Sequence, residues 1–113
     1  MKRLEIGRPI VNFARRPLQD PTKEGDDKTI YVRDLLIQAV GNQFKAENKA
    51  RVILAYKVGQ KLFDCPDQFI DLEDAEFELI KSAIEKPLPG LSPLVMGQIY
   101  PVIDDAEKER ESD

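Results

Sequence analysis

The feature that most constrains this chain is a three- and four-residue spacing of apolar side chains that begins at residue 32 and recurs in separate stretches. Such spacing places the apolar side chains on one face of an α-helix. The first stretch predicts a short helix that ends at Gly41-Asn42. Its predicted buried face is Val32, Leu35, Leu36, Ala39 and Val40. The pattern therefore favours short helices packed around a shared core.

A second stretch predicts a helix over residues 46–63. It ends before Asp64-Cys65-Pro66, because proline disfavours helical geometry in the residue that precedes it. The predicted apolar stripe is Ala50, Leu54, Ala55, Val58 and Leu62. The other side of this helix is basic, with Lys49, Arg51, Lys57 and Lys61.

Two more helices are predicted after residue 70. The third begins at Asp71, which together with Asp74 resembles a capping box, and its core face is Leu72, Ala75, Leu79, Ile80 and Ala83. After a break at residues 87–90, Ser92-Pro93 predicts the start of a fourth, since serine caps helices and proline suits the first helical position. Its inner positions are Leu94, Val95, Gln98, Ile99 and Val102. Pro101 predicts a kink or an end near Tyr100.

The N-terminal part differs from the rest. Residues 10–13 and 29–32 are mostly β-branched or aromatic, and between them residues 15–28 are rich in charge and contain prolines and a glycine. We expect a β-hairpin or an extended arm with a flexible loop at 15–28. The predicted fold class is mainly α (α+β), with three to four short helices. At 113 residues the chain suits one domain, residues 1–104, followed by a disordered acidic tail at 105–113.

The charge is distributed unevenly along the chain. The net charge is -4, yet residues 67–113 carry thirteen Asp/Glu against four Lys/Arg, while the first 66 residues are net basic. Two interpretations stay open: the halves attract each other within the fold, or each faces its own partner.

Gly59 and Gly97 lie inside predicted helices, where glycine costs roughly 1 kcal/mol relative to alanine. A close approach of a partner's backbone would explain them. A tight crossing of two helices inside the core explains them as well, and the sequence favours this second explanation.

The residues offer little for catalysis. The chain has no histidine, which removes the usual general base and every His-dependent triad or zinc site. Cys65 lies beside Asp64 without a base to activate it. The spacing of acidic residues from Asp20 resembles a calcium loop, but its twelfth position is Tyr31 instead of glutamate. We predict a protein that is not an enzyme and has no cofactor or metal; a small enzyme remains the least favoured alternative.

A protein partner is the favoured ligand. The candidate surfaces are the acidic face of the third helix, with Glu73, Glu76 and Glu78, together with the tail, or the loop at 15–28. The alternative is a nucleic-acid-associated accessory factor. It would use Phe13, Arg15 and Arg16 with the basic helix, although a pI of about 4.9 disfavours that role. No segment predicts a membrane span or a signal peptide, so we expect a cytoplasmic protein.

Several motifs of the second half resemble those of a known group. They are Lys49-x-Arg51, Leu54-Ala55-Tyr56-Lys57-Val58, Ile70-Asp71-Leu72, Glu78-Leu79-Ile80-Lys81 and Pro93-Leu94-Val95-Met96-Gly97-Gln98. In this order they resemble small uncharacterised proteins encoded by bacteriophages and prophages, over roughly residues 29–104. The resemblance implies a viral accessory role in the bacterial host cytoplasm, as an assembly factor or a binder of a host protein, and leaves a place in the virion open. It implies no site residues.

Overall fold

The computed structural model describes residues 2–42, 49–85 and 93–111 and contains four helices and two strands within them. In chain order these are β1 (Lys2–Glu5), α1 (Val32–Asn42), α2 (Lys49–Asp64), β2 (Phe69–Leu72), α3 (Asp74–Glu85) and α4 (Pro93–Glu111). The mainly helical α+β class predicted from the sequence is therefore confirmed. The predicted starts of α1 at Val32 and α4 at Pro93 are confirmed as well. The predicted break at 87–90 and the Ser92 cap lie outside the described residues.

The two strands form a small antiparallel sheet that joins the start of the chain to its middle. Leu4 lies opposite Ile70, and both are buried together with Leu72. On the outer side, the Nε atom of Arg3 lies 3.3 Å from Oδ1 of Asp71. The prediction that Asp71 begins the third helix is thus wrong. Residues 69–72 alternate between exposed and buried positions, which is the period of a strand, and pairing with β1 satisfies their backbone.

Helix α3 starts three residues later than predicted and is capped by a different side chain. The backbone amide of Glu73 donates to Oε1 of Glu76 at 2.9 Å. A glutamate that reaches back to the amide before the first turn is the second half of a capping box. Phe77, which the sequence analysis did not assign to the core, is fully buried in this helix. The Nζ atom of Lys2 lies 4.2 Å from the centre of its ring.

Residues 6–31 form an extended arm that folds back on itself. The amide of Ile10 donates to the Ile30 carbonyl, that of Ile30 to the Leu18 carbonyl, and that of Leu18 to the Ile10 carbonyl, at 2.8–2.9 Å. The side-chain amide of Gln98 then holds the arm on α4, because it accepts from the Val11 amide and donates to the Val11 carbonyl. The predicted extended arm is present, and the mobility of its 15–28 loop stays a prediction.

The helices meet in one apolar cluster to which all six elements contribute. All five positions predicted for the buried face of α1 are buried. In α2 the buried residues are Ala55, Val58 and Leu62, whereas Leu54 is half-buried and Ala50 is exposed. In α3, Leu79, Ile80 and Ala83 are buried as predicted, but Ala75 is exposed.

Helix α4 departs from the prediction at its C-terminal end. It continues through Pro101 to Glu111 instead of ending near Tyr100. Proline removes the hydrogen bond to the carbonyl four residues earlier, which here belongs to the exposed Gly97, so that water can solvate this carbonyl. The predicted tail is also helical over residues 105–111, and Ala106 is buried.

Candidate functional site

An open apolar groove of about 430 Å³ runs between α1 and α2. Its lining, here called the α1–α2 groove, consists of Ile37, Val40, Gly41, Val52, Ala55, Tyr56, Gly59, Gln60 and Phe63. None of these side chains carries a charge. The groove is therefore suited to apolar contacts.

The aromatic side chains of this groove are unusually accessible. Tyr56 is 73% exposed and Phe63 is 70% exposed. Val52, one turn before Tyr56 on the same side of α2, is 38% exposed. Single exposed apolar residues are common on protein surfaces, but a contiguous patch around a concave groove is typical of a binding surface.

The helical repeat of α2 explains how the sequence builds this groove. Ala55, Val58 and Leu62 point into the core. Val52, Tyr56 and Phe63 follow one another at intervals of four and seven residues, so they form a second stripe beside the buried one. The sequence analysis assigned only the first stripe. A helix with two adjacent apolar stripes is the signal that could have predicted the groove.

Two glycines keep the groove open. A Cβ atom added at Gly41 or Gly59 would meet no other atom within 4 Å, and the same holds at Gly97 in α4. The expectation that Gly59 and Gly97 mark a tight helix crossing is therefore wrong, because each faces free space. The first explanation, room for the backbone of a partner, remains.

Basic side chains lie along this part of α2. Lys49 is one turn before Val52 on the same stripe, and Lys57 is adjacent to Tyr56; both are exposed. Neither makes a hydrogen bond or an ion pair with any residue that the structure describes. Lys61, in contrast, is used by the fold, since its Nζ atom lies 2.9 Å from Oε1 of Glu76.

The predicted acidic surface is only partly available. Glu73 and Glu78 are exposed on α3 as expected. Glu76 is half-buried, and one of its carboxylate oxygens accepts from both Lys61 and the Glu73 amide. Glu76 thus stabilises the start of α3 and its contact with α2.

Phe13, Arg15 and Arg16 are brought together in a tight turn of residues 12–16, called here the Phe13 turn. Oδ1 of Asn12 accepts from the amides of Ala14 and Arg16, at 2.9 and 3.1 Å. Arg15 adopts a positive φ of 64°. The three predicted side chains are exposed, and Phe13 is 89% exposed. The turn presents an aromatic ring beside two guanidinium groups.

The titratable groups outside these surfaces organise the arm. Oδ2 of Asp27 accepts from the Tyr31 hydroxyl at 2.6 Å, which lowers the pKa of Asp27 and raises the pKa of Tyr31. The hydroxyl and amide of Thr22 lower the pKa of Asp20 in the same way. These bonds account for Asp20 and Asp27 of the loop that resembles a calcium site.

No cluster of three or more His, Cys, Asp or Glu side chains suited to a metal ion occurs among the described residues. Cys65 is half-buried, with its Sγ atom 3.7 Å from the Phe69 carbonyl oxygen. Over the same residues, no helix combines the length and the apolar character that a membrane span requires. Comparison with protein-family models, with curated proteins and with solved structures found no match to this chain.

Proposed function

We propose that this chain is a non-enzymatic protein-interaction module and that a protein partner binds in the α1–α2 groove. The observation that carries the proposal is the exposure of Tyr56 and Phe63 beside the open position of Gly59. Exposed aromatic residues in a concave apolar surface are the side chains that contribute most to binding energy at protein interfaces. A partner that covers them would remove this apolar surface from water.

The composition of the groove supports binding over catalysis. Tyr56 is the one titratable side chain of its lining. General acid–base chemistry needs such groups held in a pocket that shifts their pKa values. An uncharged groove with exposed aromatic side chains supplies apolar contact area instead.

The viral accessory role belongs to this proposal. The resemblance to phage and prophage proteins covers residues 29–104, which include the whole groove. We propose a role in the cytoplasm of a bacterial host, either in particle assembly or in binding a host protein. Glu73 and Glu78 remain a secondary candidate surface, since both are exposed on α3.

Site-specific photocrosslinking in the cell that naturally makes the protein tests this function. A benzophenone amino acid replaces Tyr56 or Phe63 in separate variants, and the control variant carries it at Phe69. Phe69 is a suitable control because it is exposed on β2 and lines a different cavity. We expect one protein adduct from both groove positions and none from position 69.

The adduct identifies a partner that can be purified for a binding measurement. Phe63→Ser should weaken binding by roughly tenfold or more, as expected for an aromatic residue at the centre of an interface. Phe13→Ser, at a still more exposed aromatic residue outside the groove, should leave the affinity unchanged. Equal losses in the two variants, or crosslinks at position 69 alone, would contradict the groove as the binding site.

The Phe13 turn favours a second candidate function, the nucleic-acid accessory role. Aromatic rings stack on bases and guanidinium groups bind phosphates, and this turn exposes both. A gel shift of labelled single-stranded DNA at low salt tests it. The shift should weaken as salt rises and disappear with Arg15→Ala/Arg16→Ala. Absence of any shift at low salt would remove this candidate.

A further inference from the structure

The charges around the α1–α2 groove are predominantly positive. Helices α1 and α2 together carry five Lys/Arg and two Asp/Glu. Both acidic side chains are already bound within the chain: Asp34 by Lys23, at 2.6 Å, and Asp64 by Gln60. Asp34 is thereby neutralised, whereas Asp64 keeps its negative charge beside the neutral amide of Gln60 at the end of α2, so the two helices still carry a net positive charge.

The positive groups that remain accessible lie beside the apolar stripe. In the helical repeat of α2, Lys49 continues the line of Val52, Tyr56 and Phe63, and Lys57 lies one turn before Gln60 of the groove lining. Neither lysine has a partner among the described residues. These two ammonium groups can each contact a carboxylate at the edge of an apolar interface, where complementary charges select the partner.

The shape of the groove favours a helix as the bound element. The backbones of α1 and α2 are hydrogen-bonded internally, so they offer no free edge to an extended peptide. A helix can place an apolar stripe between them, and the glycines at 41 and 59 leave room for its backbone to approach. A small molecule fits less well, because Tyr56 and Phe63 stand open to solvent instead of enclosing a cavity.

From this combination we infer that the α1–α2 groove takes an amphipathic helix whose apolar stripe is flanked by acidic side chains. The inference rests on the function proposed above and gives the chemistry of the partner. A second copy of this chain matches the groove less well. A symmetric pair would bring the lysines of both copies together, and the acidic helix α3 already buries its apolar side chains, Phe77 and Ile80 among them.

Two designed peptides test the inference on the full chain. Both have the length of α2 and the same leucine stripe; one carries glutamates beside the stripe and the other carries lysines. We expect fluorescence anisotropy at low salt to show about tenfold tighter binding of the acidic peptide, and the preference to shrink at about 0.5 M salt, where exposed charges are screened. Lys49→Glu/Lys57→Glu should reverse the preference. Arg15→Glu/Arg16→Glu, an equal change of charge at the Phe13 turn, should preserve it.

The outcomes separate this inference from the proposed function. If the two peptides bind with equal affinity and Phe63→Ser abolishes the binding of both, the preference for acidic side chains is overturned. The groove would then remain a binding site. Absence of binding by the acidic peptide, or a preference for the basic one, also overturns the inference, while the crosslinking experiment decides the function independently. A further outcome is that light scattering gives twice the mass of one chain. If Phe63→Ser then restores the mass of one chain, a second copy occupies the groove and the inference is overturned.

Discussion

The two sides of this molecule differ in how far their apolar groups are buried and their charged groups are paired. Where β1, α3 and α4 meet, Phe77 is fully buried, Arg3 is paired with Asp71, and Lys81 with Glu107. Along the α1–α2 groove, Phe63 is open to water and Lys49 has no described partner. The first side has satisfied its interactions within the chain. The second side leaves such groups exposed, which is why we propose the partner surface there.

Matched substitutions of two phenylalanines should give the largest difference between the sides. Phe77→Ala removes a fully buried ring and should lower the free energy of unfolding by about 3–5 kcal/mol. Phe63→Ala removes a ring that is already in water and should change it by less than about 0.5 kcal/mol. Urea unfolding followed by circular dichroism measures both. Comparable losses in the two variants would show that the free protein buries Phe63 and that the groove is closed in solution.

A second pair of substitutions compares two glutamines. Gln98→Ala leaves both the amide and the carbonyl of Val11 without their partner and should cost about 1–2 kcal/mol. Gln60→Ala in the groove lining removes a contact with the exposed Asp64 and should cost less than about 0.5 kcal/mol. Thermal unfolding of each variant gives the comparison. If Gln98→Ala unfolds like the unaltered protein, the arm does not depend on α4 for its place.

Substitution of Gly59 should stabilise the protein at the expense of binding. A Cβ atom at this position meets no neighbour, so Gly59→Ala should raise the free energy of unfolding by about 0.5–1 kcal/mol through the higher helix propensity of alanine. The same methyl group should weaken binding of the acidic peptide, because it fills the space that the backbone of the peptide would occupy. Gly7→Ala should instead destabilise the protein, since the added Cβ atom would lie 3.0 Å from the Cα atom of Gln68. A destabilised Gly59→Ala would show that the position is packed after all.

The smallest effect is the pH dependence of the Lys81–Glu107 pair, whose charged atoms lie 2.5 Å apart. The hydrogen bond from Lys81 lowers the pKa of Glu107 below its ordinary value of 4.5, and the same bond raises the pKa of Lys81. The pair therefore stabilises the fold at pH values between the ordinary pKa values of glutamate and lysine. It loses this effect as the pH falls through the lowered pKa of Glu107. Glu107→Gln should lower the melting temperature slightly at neutral pH and have a smaller effect at about pH 3. An unchanged difference at both pH values would contradict this.

The sequence predicted those parts of the fold that depend on local patterns. The buried face of α1 and the start of α4 at Pro93 follow from the helical period and from capping preferences. Strand β2 was missed because its partner, β1, is distant in the sequence, and pairing outweighed the capping signal of Asp71. The sequence predicted no core residue beyond Ile103, because Ala106 is a small apolar residue among charges, yet Ala106 is buried.

The site was harder to predict than the fold. Phe13, Arg15 and Arg16 were expected to act together and do share one turn. The groove was not expected, because Tyr56 and Phe63 were not assigned to either side of the helix and Gly59 was assigned to the core. Exposure of an apolar stripe depends on which elements pack over it, and that information lies in the tertiary structure.

The pairing of β1 with β2 also has a consequence for how the chain acquires its structure. Lys2 lies opposite Leu72, so the sheet cannot form on the ribosome until the chain has been made beyond residue 72. By then all residues of α1 and α2 have been synthesised, and a contact between consecutive helices is local in sequence. Closing so long a loop carries an entropic cost that grows with its length, so the sheet should be a late event in folding. Residues 2–5 therefore stay without their strand partner until residues 69–72 have been synthesised.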